Sequence, residues 1–221
     1  MNYAVTFGLV GIFMIATSVF HGGWWYLLVT SAPCFLLMSA GYAGLGPGIY
    51  FKTRDGRIPF WARLLHYPIM LTSGTECLLK AALSKENAYD RVGDDLILGR
   101  RPRPSELPDG VANCVDLAAE FEEPRAIRES TNYINLPVLD GDVPSGDALR
   151  AAIGGLVPGT TFVHCAVGHG RTGVFALALL ADRGRIQSYE EGIKLLTGIR
   201  PGIGLNDKQE AFVREFVSQA P

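Results

Sequence analysis

From Met1 to Phe51 the chain has no aspartate, glutamate, lysine or arginine. About a quarter of the residues in an ordinary soluble domain are charged, so a stretch this long without charge does not read as part of one. Two apolar runs fill it, Tyr3 to Phe20 and Trp24 to Leu45. Each is close to the roughly 20 residues that a helix needs to cross a bilayer. His21-Gly22-Gly23 turns between them, and Trp24, Trp25 and Tyr26 sit where an interfacial aromatic belt belongs. The expectation is a transmembrane helical hairpin over residues 1–48. A cleaved signal peptide is one alternative for the first run, but it has no basic start and a second apolar run follows at once. A buried pair of soluble helices is the other. Pro33 and the glycines of the runs are tolerated in membrane helices.

Cysteine is also scarce. Cys34, Cys77, Cys114 and Cys165 are the four, too few for a disulfide framework and in keeping with a reducing compartment. A reversible bond from Cys165 to Cys77 or Cys114 stays open. No internal repeat, low-complexity tract or metal-ligand spacing stands out, and neither a metal, another cofactor nor a nucleic-acid partner is expected.

Charge, once it begins, is uneven. Residues 52–103 carry ten Lys/Arg against six Asp/Glu, a net of +4, and the remainder has a net of −6. Lys52, Arg54, Arg57 and Arg63 follow the second run directly, while the hairpin turn has no Lys or Arg. The positive-inside rule then puts both ends of the hairpin, and everything after it, on the cytoplasmic side. Residues 49–93 read as a basic juxtamembrane linker. Within it Ile58 to Leu71 suits either the membrane interface or a strap on the following domain, and Thr75 to Ser84 suits a short helix.

Residues 94–221 alternate strand and helix patterns. Strands are expected at Asp95–Gly99, Val111–Leu117, Tyr133–Val138 and Thr161–His164. Helices are expected at Ser145–Ile153, Gly173–Arg183, Ser188–Ile199 and Leu205–Gln219. That alternation implies an α/β fold, a mainly parallel central sheet with flanking helices.

The most specific signal lies between the last strand and the helix after it: His164-Cys165-Ala166-Val167-Gly168-His169-Gly170-Arg171-Thr172-Gly173. A loop that turns sharply into a helix aims its backbone N–H groups inward and adds the positive end of the helix, which together suit a phosphate. Gly168 and Gly170 allow such a turn, and the Arg171 fork can grip two phosphate oxygens. The same field favours a thiolate on Cys165 and makes it a nucleophile. His164 can orient groups around the loop, and the Thr172 hydroxyl can reach the sulfur. The plainer reading is a buried cysteine at a strand end beside a surface arginine.

The segment resembles the signature loop of the cysteine-dependent protein tyrosine and dual-specificity phosphatases: His-Cys, five residues, Arg, then Ser or Thr. Low-molecular-weight phosphatases, arsenate reductases and some rhodanese relatives also use Cys-x5-Arg loops. Theirs usually sit near the N-terminus or lack the preceding His and following Thr-Gly. The resemblance covers the chain from Asp94 onward and implies a dual-specificity phosphatase-like fold with cysteinyl-phosphate chemistry. In it Cys165 attacks phosphorus, and Arg171 and the amides of Ala166, Val167, Gly168, His169 and Gly170 hold the oxygens. Thr172 eases departure of the thiolate. The leaving alkoxide needs a proton, and Leu136-Pro137-Val138-Leu139-Asp140-Gly141-Asp142-Val143-Pro144-Ser145 is similar to the acid loop of the dual-specificity group. Asp140 matches the acid position, with Asp142 its competitor. The plainer reading is a turn with Ser145 as helix cap and both aspartates solvated.

The substrate is less legible. His169 stands where phosphoinositide phosphatases of this family often carry Lys, which suits an acidic headgroup, unless it faces solvent. Gln209 matches a water-positioning glutamine of the family, or else a surface helix residue, and the role of Arg200-Pro201 stays open. Three readings follow: a membrane-anchored phosphatase of a phospholipid phosphomonoester, a dual-specificity phosphatase of membrane-associated phosphoproteins, and a silent phosphate-binding scaffold.

Overall fold

The computed structural model describes residues 2–219. Its first element, α1 (Tyr3–His21), starts at Asn2, whose side chain accepts from the Val5 N–H. A short helical turn at Gly23–Tyr26 leads into α2 (Leu27–Ala40). The two helices pack along each other through small residues. A Cβ on Gly11 would come within 2.9 Å of the Leu36 side chain, and one on Gly8 within 3.0 Å of Ser39 Oγ, the small-residue contact that lets helices close up without a hydrophobic drive. Ser18 Oγ closes the tip on the Trp25 carbonyl. The outer faces stay apolar and bare; Phe13 is 69% and Phe20 85% exposed. Tyr3–His21 and the helical stretch Gly23–Tyr50 are long and apolar enough to cross a membrane.

Next come α3 (Phe60–Leu65) and α4 (Tyr67–Leu83). The segment expected as one piece over Ile58–Leu71 is divided at His66, and the short helix expected at Thr75–Ser84 is the second half of α4. Pro68 explains the division: it is tolerated in the first turn of a helix and not inside one. His66 is buried at the joint, with Nε2 2.8 Å from the Ile49 carbonyl oxygen.

The sheet has five strands: β1 (Tyr89–Val92), β2 (Leu96–Arg100), β3 (Val111–Ala118), β4 (Asn132–Val138) and β5 (Thr160–Cys165). Their order is β1-β2-β5-β3-β4, with only β1 antiparallel. β1 falls inside the stretch expected to be linker, so the sheet starts ahead of Asp94. The other four strands lie where the hydrophobic pattern put them. Their helical partners are α5 (Arg125–Ser130), which the sequence did not announce, α6 (Gly146–Gly154), α7 (Gly170–Asp182), α8 (Tyr189–Ile199) and α9 (Asp207–Ser218). Ser145, Ser188 and Asn206 cap α6, α8 and α9.

The period-two pattern sorts the strand residues. Leu96, Leu98, Val115, Val163 and Cys165 join a core with α6 to α9, while Ile97, Cys114 and Phe162 meet Ile127 of α5 on the other face. The hairpin is joined to this domain. Ala119 and Leu139 pack with Met38, Ile49 and Tyr50. Lys52 donates to Asp116 Oδ2 and to the Ala118 carbonyl, both at 2.6 Å.

Candidate active site

β5 is the middle strand, and the loop from Cys165 to Arg171 leaves its carboxyl end and enters α7, the usual position for a site in a parallel sheet. Gly168 carries the turn at φ +79°, and a Cβ there would run into the backbone of Gly99 and Arg100. Both conformation and space demand glycine. Gly170 is needed for a different reason than the turn: it opens α7 with ordinary helical conformation, and a Cβ there would lie 3.0 Å from Gln209 Oε1. The Gly168 N–H donates to Cys165 Sγ at 3.2 Å, and the sulfur is buried at the helix N-terminus. Thr172 Oγ1 is buried with no partner among the described residues.

Arg171 is buried and held by a carboxylate the sequence reading passed over. Its Nη1 and Nη2 donate to Glu120 Oε2 and Oε1, both at 2.8 Å, and Nη1 also donates to the Val138 carbonyl at 3.0 Å. Burial alone would weaken the guanidinium's hold on its proton, but Glu120 outweighs it and keeps Arg171 charged. Nε has no partner among the described residues, which leaves it a donor for an oxyanion in the loop. Asp140 reaches the same arginine, Oδ1 to Nη2 at 3.2 Å, with its side chain 81% exposed. Asp142 does not: its Oδ1 accepts the Val143 N–H at 2.8 Å and pairs with Lys208. Of the two candidates, only Asp140 lies beside Arg171 with an exposed carboxylate. The Tyr42 hydroxyl, at the foot of the hairpin, donates to the Asp140 carbonyl at 2.8 Å.

The loop is gripped from behind. Arg200, 2% exposed, donates Nε to the Gly168 carbonyl at 2.9 Å and Nη2 to the Val167 carbonyl at 3.4 Å, and pairs with Asp90 at 2.7 Å. The role left open for Arg200 is therefore to fix the loop's carbonyls outward so that its amides face in. His169 is half-buried, with Nε2 2.7 Å from Glu86 Oε2. Gln209 is buried rather than on the surface, and its Nε2 donates to the Asp142 carbonyl, steadying the acid loop.

His164 points to the opposite face of β5, where a polar network is buried. Its Nδ1 is 3.3 Å from the Cys165 carbonyl oxygen, and Nε2 is 3.7 Å from Glu123 Oε2. Burial pushes His164 down to about 4 and Glu123 up to about 8, Asp116 adding to the latter. Burial thus favours a neutral imidazole facing a protonated carboxyl, 3.7 Å apart. Asp116 stays ionised because Lys52 outweighs its burial, and the Tyr133 hydroxyl donates to it at 2.7 Å. Cys114, Glu123 and His164 bring ligand atoms within 4.8 Å of one another, a grouping that spacing along the chain does not reveal. Burial holds the Cys114 thiol protonated, and Arg101 Nε lies 3.5 Å from Glu123. A protonated thiol and carboxyl beside a guanidinium are poor partners for a cation, so the chemistry favours a neutral buried cluster over a cation site. Cys114 is across the sheet from Cys165, whereas Cys77 lines the cavity in front of the loop.

Known proteins are similar to this chain. A phosphatidylglycerophosphate phosphatase, PTPMT1, of Arabidopsis thaliana is 26% identical over 185 residues, 77% of this chain and 54% of that one. A putative tyrosine phosphatase, 067L, of Invertebrate iridescent virus 3 is 29% identical over 151 residues, 57% of this chain and 63% of that one. The chain is similar in sequence to these two phosphatases. Solved structures with this phosphatase-like fold include PTPMT1 in complex with PI(5)P, with a TM-score of 0.52 at 19% identity over 60% of this chain and 96% of that one. Another is the active form of Tk-PTP, with a TM-score of 0.53 at 20% identity over 60% of this chain and 97% of that one. No family model matches the chain. It spans between about half and two thirds of the length of the two curated phosphatases.

Proposed function

We propose that this protein is a membrane-anchored phosphomonoester phosphatase of the dual-specificity type that acts on phospholipid headgroups. One observation carries the reading. Cys165 and Arg171 share a loop whose mouth holds Asp140, 3.2 Å from Arg171, and the Asp140 carbonyl is bonded to Tyr42 at the foot of an apolar hairpin. The phosphate chemistry and the proposed membrane anchor meet at one place.

In this mechanism the Cys165 thiolate attacks phosphorus, the S–P bond forms, and the bond to the leaving oxygen breaks as Asp140 gives that oxygen a proton. Arg171 and the amides from Ala166 to Arg171 stabilise the charge on the equatorial oxygens. Asp140 then takes a proton from water, which attacks phosphorus and expels the thiolate, with the Thr172 hydroxyl easing its departure. Glu120 and Arg200 are positioning residues, one for the Arg171 fork and one for the loop carbonyls. The cluster Lys52, Arg54, Arg57 and Arg63 after the second apolar helix supports a cytoplasmic catalytic domain. The likeness to a phosphatidylglycerophosphate phosphatase supports the lipid class.

A protein phosphatase of membrane-bound targets is the second reading, favoured by the likeness to a putative tyrosine phosphatase. The deciding experiment sets purified full-length protein against a panel of phospholipid phosphomonoesters in mixed micelles and phosphopeptides. Faster turnover of the lipids is expected, and none at all with Cys165→Ser. Preference for soluble phosphotyrosine peptide would defeat the lipid reading, and Cys165→Ser retaining full activity would defeat the enzymatic one.

A further inference from the structure

A cavity of about 380 Å³ opens in front of the signature loop. Its floor is polar: Ala166, Val167 and Arg171 of the loop, with Asp140 at the side and Lys80 at the rim. Its far wall comes from other elements and has another chemistry. Phe7 of α1, Phe35 and Met38 of α2 and Ile69 of α4 line it. These side chains are supported from behind. Phe7 stacks on Tyr42 at 5.8 Å and lies 6.1 Å from Phe35, and Met38 is 3% exposed within the core that joins hairpin and domain.

A phosphatase of water-soluble phosphopeptides would be served by polar walls around such a loop. Here most of the apolar side chains facing the loop come from the two helices long enough to cross a membrane, with Ile69 from α4, and apart from the hydroxyls of Tyr3, Tyr42 and Tyr50 the wall those helices make is apolar. From there a groove continues over α4. Thr72, Glu76 and Lys80 line both the cavity and an adjoining depression of about 700 Å³ whose remaining side is Leu71, Leu79 and Leu83. Those leucines are 65%, 54% and 80% exposed. The occupant of this space must be anionic at one end and apolar along its length.

We propose that the cavity between the signature loop and the inner faces of α1, α2 and α4 is a hydrocarbon-chain subsite, with a phosphomonoester in the loop and its chain lying between Phe7, Phe35, Met38 and Ile69. The proposal rests on the phosphatase reading above and adds to it that the hairpin is part of the substrate site as well as an anchor. Chain recognition is then direct contact, separate from any gain that comes from concentrating a lipid near the enzyme. Lys80, paired with Glu76 at 2.6 Å, stands at the rim between the cavity and the groove over α4.

The test uses full-length protein in detergent and monomeric alkyl phosphates (butyl, hexyl and octyl), each below its own micelle threshold. Moving a methylene from water onto an apolar wall is worth about 0.8 kcal/mol, or about fourfold. kcat/KM is therefore expected to rise about fourfold per added methylene until the wall is covered. In Met38→Trp, and independently in Ile69→Trp, bulk enters the apolar end, and the octyl-to-butyl ratio within the same variant is expected to fall at least tenfold. Taking the ratio inside one variant removes differences in folded fraction. Activity that does not change with chain length in the wild type overturns the subsite and leaves the phosphatase reading intact. A rise that both tryptophan variants keep overturns it too, because the dependence then arises elsewhere. No turnover of any alkyl phosphate, lipid or phosphopeptide would instead sink the phosphatase reading itself.

Discussion

At the scale of single residues, two aspartates two positions apart have been given different work. Asp140 reaches Arg171, whereas Asp142 is spent on the Val143 N–H and Lys208. Asp140→Asn is expected to lower kcat by about 10²- to 10⁴-fold on alkyl phosphates, the usual worth of a general acid. The loss should be much smaller on p-nitrophenyl phosphate, whose leaving group needs no proton. Asp142→Asn should cost little on either. Steady-state rates on the two substrates decide it, and a leaving-group-dependent loss in Asp142→Asn would reverse the assignment. Cys165 and Arg171 were legible as a pair because their spacing is itself the signal, whereas Asp140 was marked out only by the likeness of its loop to an acid loop, with Asp142 its competitor. Glu120 and Glu123 were not. Both belong to Ala118-Ala119-Glu120-Phe121-Glu122-Glu123, which by itself looks like a solvated acidic turn; only the fold shows Glu120 against Arg171 and Glu123 at 0% side-chain exposure. Arg200 was hidden similarly, since a buried arginine is identified by carbonyls that lie more than thirty residues away.

At the scale of elements, β3, β5 and the turn after β3 bury a cluster of titratable groups, Asp116, Glu123 and His164, behind the loop-bearing strand. Glu123 sits above its ordinary value of 4.5, at about 8, so between those values the folded chain holds a proton that the unfolded chain has released. Its contribution to stability therefore falls as pH rises through that window. His164 lies below its ordinary 6.5, at about 4, so its contribution rises with pH between 4 and 6.5. The two oppose each other up to 6.5, and from there to about 8 Glu123 acts alone. One proton limits that slope to about 1.4 kcal/mol per pH unit. Glu123→Gln should flatten the decline between pH 6.5 and 8, read from thermal unfolding of the detergent-solubilised protein, and an unchanged slope would remove Glu123 as its source. The longer strands and helices were readable from periodicity and caps. β1 was not: Tyr-Asp-Arg-Val is four residues long, carries two charges and lies at the sheet's edge, where no two-sided burial forces an apolar pattern.

At the scale of the whole molecule, the hairpin and the catalytic domain are bonded into one body through a charge. Lys52 and Asp116 are each 1% exposed at the side chain. Removing one partner of a buried pair strands the other in low dielectric, at about 3–5 kcal/mol. Lys52→Met should therefore lower the unfolding midpoint of the full-length protein sharply, while Arg54→Met, which breaks no such pair, should not; equal midpoints would mean that Asp116 is neutralised by other means. The division into hairpin, linker and domain that charge and hydropathy suggest along the chain is thus less clean in three dimensions. Lys52, the first charge after the uncharged stretch and part of what reads as a basic linker, has its side chain buried against Asp116 of β3. Protease cleavage just after Lys52 would then not shed a working soluble enzyme. It would leave Asp116 without its cation and bare the Ala119–Leu139 surface, so under the proposed anchoring, release of the domain and loss of its proposed activity would be the same event.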